Sequence, residues 1–540
     1  MEKVIYCNGT ILTMDAARPQ SEALLTDGGV IEALGTVEAL SALSPEARME
    51  DLRGCTLMPG FIDGHSHLSA AALQSLLVNV SPPPIGVCGS LDDILKALKK
   101  ALSQGDFYEG QWLIAMGYDE SKQGRRPARW DLDGVSDTMP IAVTHASGHL
   151  CVVNTPAMAL LGYTGDNFSV PEGGFVEEDG LLKEQAFLSP LKQALMKGPT
   201  KEQSIEAVGR ASALYASYGY TTVQDARTTP EDLALIQAAG ERGLVKTDVA
   251  LYLTPELARQ ALPKTAPQRG AYANRIRPAG YKLYLDGSPQ GKTAWLSCPY
   301  LIPPEGRGAD YRGFPTQSRE EALAAMLECI ENHWQINVHA NGDEAIERMI
   351  SCYREALART GSREKLRPVI IHCQTAREDQ LEKMKETGIL ASFFLDHVYY
   401  WGDYHYDSVL GPERARRISP LRSALEKGVT FTIHQDTPVV PPNAMLSVHN
   451  AVNRVTYGGR VLGAEQRISA LQAVNALTVN AAYQLFEENA KGILAPGKLA
   501  DFTVLEQNPL SVSETSLKDV KVARTIKEGE VIYDAGDFLE

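Results

Sequence analysis

The 540-residue sequence lacks most features that mark secreted or membrane proteins. Its eight cysteines are scattered and none forms a Cys-x-x-Cys pair, so no disulfide framework is expected. No apolar run approaches the ~18 residues that span a bilayer. The N-terminal stretch has no basic segment followed by an apolar core, which argues against a signal peptide. These absences predict a cytoplasmic protein without membrane contacts.

Positive charge and several catalytic motifs are also scarce. Lysine and arginine total 52 against 67 aspartates and glutamates, giving a net charge of -15. Nucleic-acid binding is not expected, because neutralising phosphates requires clustered basic residues. The chain has no Gly-x-Ser-x-Gly, which disfavours a serine hydrolase. It has no Gly-x-Gly-x-x-Gly after a strand, so a dinucleotide cofactor is unsupported. The acidic composition itself does not indicate the substrate; a small-molecule substrate is expected only from the family resemblance described below.

Two sequence patterns divide the chain. Residues 1–59 and 487–540 consist of short β runs separated by turn signals. Neither end has enough strands to bury a core by itself. We therefore predict one composite β-sandwich domain built from both termini. Residues 60–486 alternate short apolar strands with helical stretches, the pattern of βαβ units and a parallel sheet.

Eight strand candidates in the central region predict an α/β protein with a closed (β/α)8 TIM barrel. They are Gly60–His65, Thr221–Asp225, Asp248–Leu253, Tyr281–Asp286, Ile336–His339, Val369–His372, Leu390–Phe394 and Val429–Ile433. The gap between the first two is too long for one crossover helix. Residues 70–210 are therefore predicted to form an inserted subdomain that covers the barrel mouth.

Histidines and carboxylates cluster where these strands end, the edge at which a barrel builds its active site. His65 and His67 are spaced so that both point to one side of a strand and reach one metal ion. His339 and His372 end the fifth and sixth strands, and Asp436 follows the eighth. Alternatives stay open, because a lone histidine is more often a core or capping residue and Asp436 could cap a helix.

Two further polar residues lie on predicted strands. Lys282 is in the middle of the fourth strand, with Tyr284 and Asp286 on the same face. A buried lysine needs a partner, so its ammonium could pair with Asp286 or reach the barrel mouth. Asp225, at the end of the second strand, could support a metal ligand from behind or cap a helix.

The stretch Met58-Pro59-Gly60-Phe61-Ile62-Asp63-Gly64-His65-Ser66-His67 resembles the strand-one signature of the amidohydrolase superfamily. The segment from Gly492 to Phe502 resembles its C-terminal β-sandwich motif. The branch that includes N-substituted formamide deformylases is indicated by four segments. These are Lys282–Ser288, Gly148-His149, Thr221–Ala226 and Trp130–Asp133. The resemblance covers nearly the whole chain.

The resemblance implies a metal-dependent hydrolase of C–N bonds in amides, N-formyl or N-acyl compounds. It implies zinc, one or two ions with two favoured. The implied ligands are His65, His67, His339, His372 and a carboxylated Lys282. Asp436 would carry a proton from metal-activated water to the leaving nitrogen. The resemblance also suggests a homodimer.

Substrate contacts are predicted after the seventh strand and in the insertion. His397 could donate to the substrate carbonyl oxygen, and Trp401 offers an aromatic surface. Tyr399 and Tyr400, beside them, fit substrate contact and loop packing equally well. Further candidates, for which a structural role is an equal alternative, are Asp119, His145 and His149.

Two rival functions fit the same residues. A lactonase, carbamate hydrolase, deaminase or metal-assisted isomerase would use the same centre, because the ligands do not name the bond that is broken. A non-catalytic binding or regulatory barrel would be expected to lack at least one ligand or the aspartate. Since the whole set is present, this reading is disfavoured.

Overall fold

The computed structural model describes residues 2–105, 111–145, 150–165, 168–170, 174–184, 186, 199–264, 266, 270–304 and 306–536. The chain forms two compact units, one from Met1–Ser69 with Ala211–Glu540 and one from Ala70–Arg210. The division of the first unit into a terminal β-domain and a catalytic domain at residues 59 and 487 stays a prediction. No helix in the described ranges is long and apolar enough to cross a membrane.

The first unit contains a parallel sheet of eight strands in sequential order. The strands are Phe61–Ile62, Tyr220–Thr228, Asp248–Leu253, Ile276–Tyr284, Gln335–Ala340, Val369–His372, Leu390–Phe394 and Phe431–His434. Every neighbouring pair runs parallel. Their residues are almost all buried, as in parallel sheets covered on both faces.

This sheet curls until the segments after its first and last strands meet. The backbone N–H of His67 donates to the carbonyl oxygen of Thr437 at 2.9 Å. Within the described residues, no strand ladder joins Phe61–Ile62 to Phe431–His434. The observed architecture is therefore a curled eight-stranded parallel sheet, with each strand at its predicted place in the chain.

Five of the eight predicted strands have different boundaries in the structure, and three of these differences change where site residues lie. The first strand ends at Ile62 instead of His65. The Asp63 carboxylate accepts from the His65 backbone N–H at 3.2 Å, which bends the chain out of the sheet. The fourth strand starts earlier and ends at Tyr284, so Asp286 lies beyond it. The eighth is shifted toward the C-terminus and includes His434.

Helices follow most strands, and local sequence explains several of their ends. Thr229 and Ser318 form capping boxes with Asp232 and Glu321 at the starts of Pro230–Glu241 and Arg319–Glu331. Gly361, at φ 66°, ends Asp343–Thr360. The other α-helices that lie in this unit or extend into it are Val37–Leu43, Leu68–Gln74, Lys201–Ser217, Pro255–Ala261, Glu378–Thr387, His397–Tyr404, Pro412–Ala415, Leu421–Glu426, Ala444–Asn453, Ala470–Leu477 and Val479–Gln484.

Two smaller sheets of the first unit draw on the chain ends. One contains Val4–Cys7, Ala23–Asp27, Val30–Gly35 and Arg48–Asp51, and the other contains Thr10–Leu12, Gln20–Ser21, Thr56–Pro59, Phe502–Leu505, Val522–Lys527 and Glu530–Asp534. Thr56–Pro59 pairs antiparallel with Phe502–Leu505. One apolar core includes Tyr6 and Leu57 from the start of the chain and Phe502 and Ile526 from its end.

A buried charge cluster joins these sheets to the parallel sheet. Asp248, which begins the third strand, accepts from Lys491 at 2.7 Å and lies 2.9 Å from Lys527. Lys491 also lies 2.5 Å from Glu487, and Lys527 lies 2.9 Å from Asp501. Alternating signs surround each charge, which offsets the cost of removing it from water.

The second unit has its own mixed sheet. Its strands, in order across the sheet, are Gly174–Val176, Leu181–Glu184, Leu150–Val153, Ile141–His145, Leu113–Tyr118 and Val78–Asn79. Its helices are Leu91–Gln104, Glu120–Gln123, Arg129–Asp133 and Thr155–Leu160. Two apolar clusters pack on this sheet, one around Leu98 and Val143 and one around Trp112 and Val153.

Candidate metal centre

His65 and His67 lie in a tight turn after the first strand. Ser66 Oγ donates to the Asp63 carboxylate, which fixes the turn. The two imidazole rings are 5.1 Å apart. The sequence predicted both residues at the end of the first strand, but the strand ends before them. His67 Nδ1 lies 2.8 Å from the carbonyl oxygen of Ala226, so a proton on Nδ1 leaves Nε2 free as an acceptor.

Lys282 points from the fourth strand into the same place. Its Nζ lies 2.9 Å from Nε2 of His65, and the residue is 1% exposed. The alternative that it reaches the barrel mouth is therefore wrong. So is pairing with Asp286, whose carboxylate accepts from backbone N–H groups including those of Asn341 and Gly342. Burial lowers the pKa of Lys282 to about 7.

Three more histidines form a chain across neighbouring strand ends. His372 Nε2 lies 3.0 Å from His339 Nδ1, and His434 Nε2 lies 3.3 Å from His372 Nδ1. At the end of this chain, His434 Nδ1 lies 2.8 Å from Ser392 Oγ. His372 has φ 71°, a left-handed backbone that is uncommon outside glycine and concentrates at functional sites.

Asp436 faces the first pair of histidines from beyond the eighth strand. Its Oδ1 lies 3.3 Å from Nε2 of His67 and 3.6 Å from Nε2 of His65. It does not cap a helix, because the helix that follows begins with Asn443 as its N-cap. The residue has φ 56°, a second left-handed backbone position at this site.

The protonation of this cluster follows from burial and from Asp436. Burial and neighbouring positive charge hold the pKa of His65 well below its usual range. Burial also lowers the pKa of His339 to about 4 and that of His434 to about 3. Burial opposes ionisation of Asp436, but His67 outweighs it and lowers its pKa. Burial also opposes a charge on His67, but Asp436 outweighs it and raises the pKa of His67. The site thus offers neutral imidazoles at His65, His339 and His434 beside the ion pair of His67 and Asp436.

These groups fit a metal ion of the zinc type. His65, His67 and Asp436 form one group whose ligand atoms all lie within 4.8 Å of one another, and His372, His434 and Asp436 form a second. His65 Nδ1 and Asp436 Oδ1 are buried without a hydrogen-bond partner, although such atoms are normally satisfied. Neutral imidazole and carboxylate are ligands that suit zinc.

His397 and Trp401 lie in a helix, His397–Tyr404, where the sequence predicted a loop. His397 is 2% exposed, and its ring centroid is 4.1 Å from that of Phe394 and 6.3 Å from that of His372. Its Nδ1 has no hydrogen-bond partner. Trp401 is half-buried with its ring 5.7 Å from that of His397. Both therefore lie on the His372 side of the cluster.

Tyr399 and Tyr400 belong to the same helix. Their rings lie 5.2 Å apart, and Tyr399 also packs at 5.8 Å against Tyr457. Tyr400 packs at 5.7 Å against Trp401.

The remaining predicted residues are placed as follows. Asp119 and His145 belong to the second unit, where they form a separate group with Glu120 whose ligand atoms lie within 4.8 Å of one another. His149 lies outside the described residues. Asp225 accepts from both the backbone N–H and the hydroxyl of Ser69, each at 2.7 Å. It is not the N-cap of the helix that follows it, which is Thr229, but it accepts from a first-turn N–H of the helix Leu68–Gln74.

His434 is the residue of this centre that sequence reasoning missed. A signal for it exists, because Thr432-Ile433-His434 repeats the pattern of an apolar strand that ends in histidine. The same pattern singled out His339 and His372. The predicted eighth strand stopped one residue too early to include it.

Comparisons with known proteins give the family of the chain. A model of the amidohydrolase family matches residues 48–533. The N-substituted formamide deformylase of Arthrobacter pascens is 25% identical over 99% of both chains. Protein LONG AFTER FAR-RED 3 of Arabidopsis thaliana is 28% identical over 98% of this chain and 91% of that one.

A solved structure shares the fold. An uncharacterized metal-dependent hydrolase from Pyrococcus horikoshii matches 95% of this chain and 99% of its own, with a TM-score of 0.74 and 24% identity. The resemblance drawn from the sequence motifs is confirmed by the family match, which spans most of the chain. Such membership supports metal-dependent hydrolase activity. The chain belongs to the amidohydrolase family.

Proposed function

We propose that this protein hydrolyses a C–N bond of a small molecule, in an amide, N-formyl or N-acyl compound, with zinc as its metal. The observation that carries the proposal is the buried Lys282, whose Nζ lies 2.9 Å from His65 and has no carboxylate of the described residues within 4.0 Å. An uncharged lysine in this position is suited to react with CO2 and become an anionic ligand.

The ligand assignment follows the contacts. His65, His67 and Asp436 would hold one ion, and His339 and His372 a second, with a carboxylated Lys282 between them. Two ions are proposed because His339 and His372, whose facing nitrogens lie 3.0 Å apart, add a second pair of imidazoles to the group of His65, His67 and Asp436. A bound metal ion activates water for attack and polarises the carbonyl group.

Asp436 is proposed to carry the proton. As the water oxygen adds to the carbonyl carbon, the water proton passes to Oδ1 of Asp436. The same proton then passes to the substrate nitrogen as the C–N bond breaks, releasing a carboxylic acid and an amine. The position of Oδ1 supports this role, because it lies 3.3 Å from Nε2 of His67 and 3.6 Å from Nε2 of His65, where the metal-bound water would be.

Four other residues are proposed to contact the substrate. His397 stays neutral, since burial holds its pKa well below the usual range, and a neutral imidazole retains one N–H for the carbonyl oxygen. Trp401 would pack against an apolar substituent. Substrate contacts by Asp119 and His149 in the insertion are proposed from the sequence alone.

Closure of the parallel sheet into a complete barrel is also proposed from the sequence alone. The same holds for assembly into a homodimer.

The bond type is supported by the deformylase relative, whose name describes action on N-substituted formamides. A matched substrate panel tests it. The N-formyl and N-acetyl derivatives of benzylamine, the methyl carbamate of benzylamine, an aryl lactone and benzylamine itself would each be offered to metal-stripped and zinc-reconstituted protein. We expect zinc-dependent turnover of the formyl or acetyl compound. Turnover of only the lactone, the carbamate or the amine would contradict the amide assignment.

A further inference from the structure

Arg227 occupies an unusual position at the end of the second strand. The neighbouring Ala226 and Thr228 pair with Tyr252 and Leu253 of the third strand, and Arg227 is the extra residue between them. It has φ 64°, a strained backbone for a long side chain. Such bulges redirect a side chain out of the sheet, and they concentrate beside active sites.

The redirected side chain lies next to the metal centre. Its guanidinium carbon is 5.7 Å from the centroid of the Tyr284 ring. That ring centroid is 5.0 Å from the ring of His339 and 5.1 Å from Nζ of Lys282. The backbone carbonyl oxygen of Ala226, the residue before Arg227, contacts the His67 ring nitrogen and orients this proposed ligand. Arg227 is thus adjacent in sequence to the residue that orients His67. The Tyr284 ring alone separates its guanidinium from His339 and Lys282.

Within the described ranges, the Arg227 guanidinium has no carboxylate within 4.0 Å, and the residue is exposed. Arg377, by contrast, lies 2.9 Å from Asp343 and 3.2 Å from Glu347. Arginine stays charged at all physiological pH values, and its planar donors match the two oxygens of a carboxylate. Contact with the Tyr284 ring restricts the guanidinium without using those donors.

We propose that Arg227 binds a carboxylate of the substrate, so that the substrates are N-acyl or N-formyl compounds with an acidic group near the scissile bond, such as N-acylated amino acids. This inference rests on the proposed hydrolysis and narrows its substrate class. Packing alone does not explain a strained backbone that places this guanidinium against the Tyr284 ring, beside the candidate metal centre, because Arg227 is exposed and buries little surface.

Two substrates that differ only in the carboxylate test the proposal. N-acetyl-phenylalanine and N-acetyl-phenethylamine share the acetyl group, the amide and the phenyl ring. For Arg227→Met we expect KM for the acid to rise roughly 10- to 100-fold, the usual worth of hydrogen bonds to a charged group. KM for the neutral amide should change little. Arg354→Met, an exposed arginine in the helix Asp343–Thr360, is the matched control and should change neither.

Equal losses for the two substrates, or no loss, would overturn the role of Arg227. If the wild-type protein hydrolyses neither compound, the proposed hydrolysis of simple N-acyl compounds is in error, and calorimetric binding of N-acetyl-phenylalanine decides the inference separately. Binding that weakens in Arg227→Met but not in Arg354→Met supports carboxylate recognition. Binding that is the same in all three proteins, or absent from all three, refutes it.

Discussion

The side-chain nitrogen of Lys282, on the fourth strand, lies 2.9 Å from Nε2 of His65, in the turn after the first strand, and both side chains are buried. Burial opposes a charge on the lysine and lowers its pKa to about 7. The first two predictions concern this lysine.

The first prediction concerns metal content. In Lys282→Ala the second ion loses the bridging ligand that a carboxylated lysine would supply, so metal per chain should fall from about two to about one or less. Elemental analysis for zinc, manganese and iron on proteins purified without added metal measures this. Lys246→Ala, an exposed lysine, should keep the wild-type content. About one ion in both wild type and Lys282→Ala would mean a mononuclear centre in which Lys282 has another role.

The second prediction concerns pH and the metal-free protein. Folding lowers the pKa of Lys282 from 10.5 to about 7 through burial. Between these values the unfolded chain binds more protons than the folded one, so stability rises with pH. Lys282→Met lacks this dependence. We expect Lys282→Met to have a larger free energy of unfolding than the metal-free wild type near pH 7. This difference should be about 2 kcal/mol smaller near pH 9.

Urea unfolding of the two chelator-treated proteins at both pH values measures that difference. An advantage that stays constant with pH would show that Lys282 does not change protonation in this range. The same comparison after adding zinc serves as a control, because a bound ion replaces the proton as the partner of these groups.

The third prediction separates catalysis from metal binding at Asp436. Asp436→Asn keeps an oxygen ligand but cannot accept a proton, so kcat should fall by roughly 10²- to 10⁴-fold. Metal content should stay close to that of the wild type. Steady-state kinetics and elemental analysis on one preparation give both values. Asp407→Asn, an exposed aspartate, is the control. Loss of metal in parallel with activity would make Asp436 a ligand only.

His434 should matter for metal affinity. Its Nε2 lies 3.3 Å from Nδ1 of His372, and its Nδ1 lies 2.8 Å from Oγ of Ser392. Such contacts are typical of residues that orient metal ligands. We expect His434→Asn to weaken zinc binding about 10- to 100-fold, and Ser392→Ala to weaken it less. Competition against a chelator measures the affinity. His333→Asn on the exposed surface should have no effect. Unchanged affinity in His434→Asn would remove it from the centre.

The last prediction concerns the buried charges around Asp248. Lys491→Met leaves Asp248 and Glu487 with one fewer positive partner in a buried place, so the free energy of unfolding should fall by roughly 3–5 kcal/mol. Arg259→Met removes one side of an ion pair whose arginine is half exposed, and should lower it far less. Thermal unfolding of both variants compares them. Similar losses would mean that the cluster does not stabilise the junction.

The order and position of the eight strands could be predicted because each is a short apolar run ending in a polar residue. The precise ends could not, since they depend on side chains that compete for backbone groups. Asp63 ends the first strand by binding the N–H of His65, a contact that hydrophobic patterning does not record. The helix His397–Tyr404 was missed because aromatic residues have weak helix propensity and packing against Phe394 decides its conformation.

The proximity of His65, His67, His339, His372 and Asp436 could be predicted, because each lies at or shortly after the end of a strand of one parallel sheet. Their role as metal ligands stays a prediction. Arg227 was not visible. Its position depends on a β-bulge and on a left-handed backbone conformation, and the segment Asp225-Ala226-Arg227-Thr228 contains no sequence signal for either. Recognition residues of this kind are found only once the register of two strands is known.

Pairing between Thr56–Pro59 and Phe502–Leu505 also constrains how the chain folds during synthesis. The strand that leads directly into His65 emerges from the ribosome early, but its partner emerges after almost all of the remaining chain. Until then one edge of Thr56–Pro59 is unpaired, and an unpaired edge is prone to pair with the wrong strand. The ligand turn at His65 is therefore anchored on that side only after Phe502–Leu505 has been made, which places completion of the candidate metal centre after the synthesis of the whole parallel sheet.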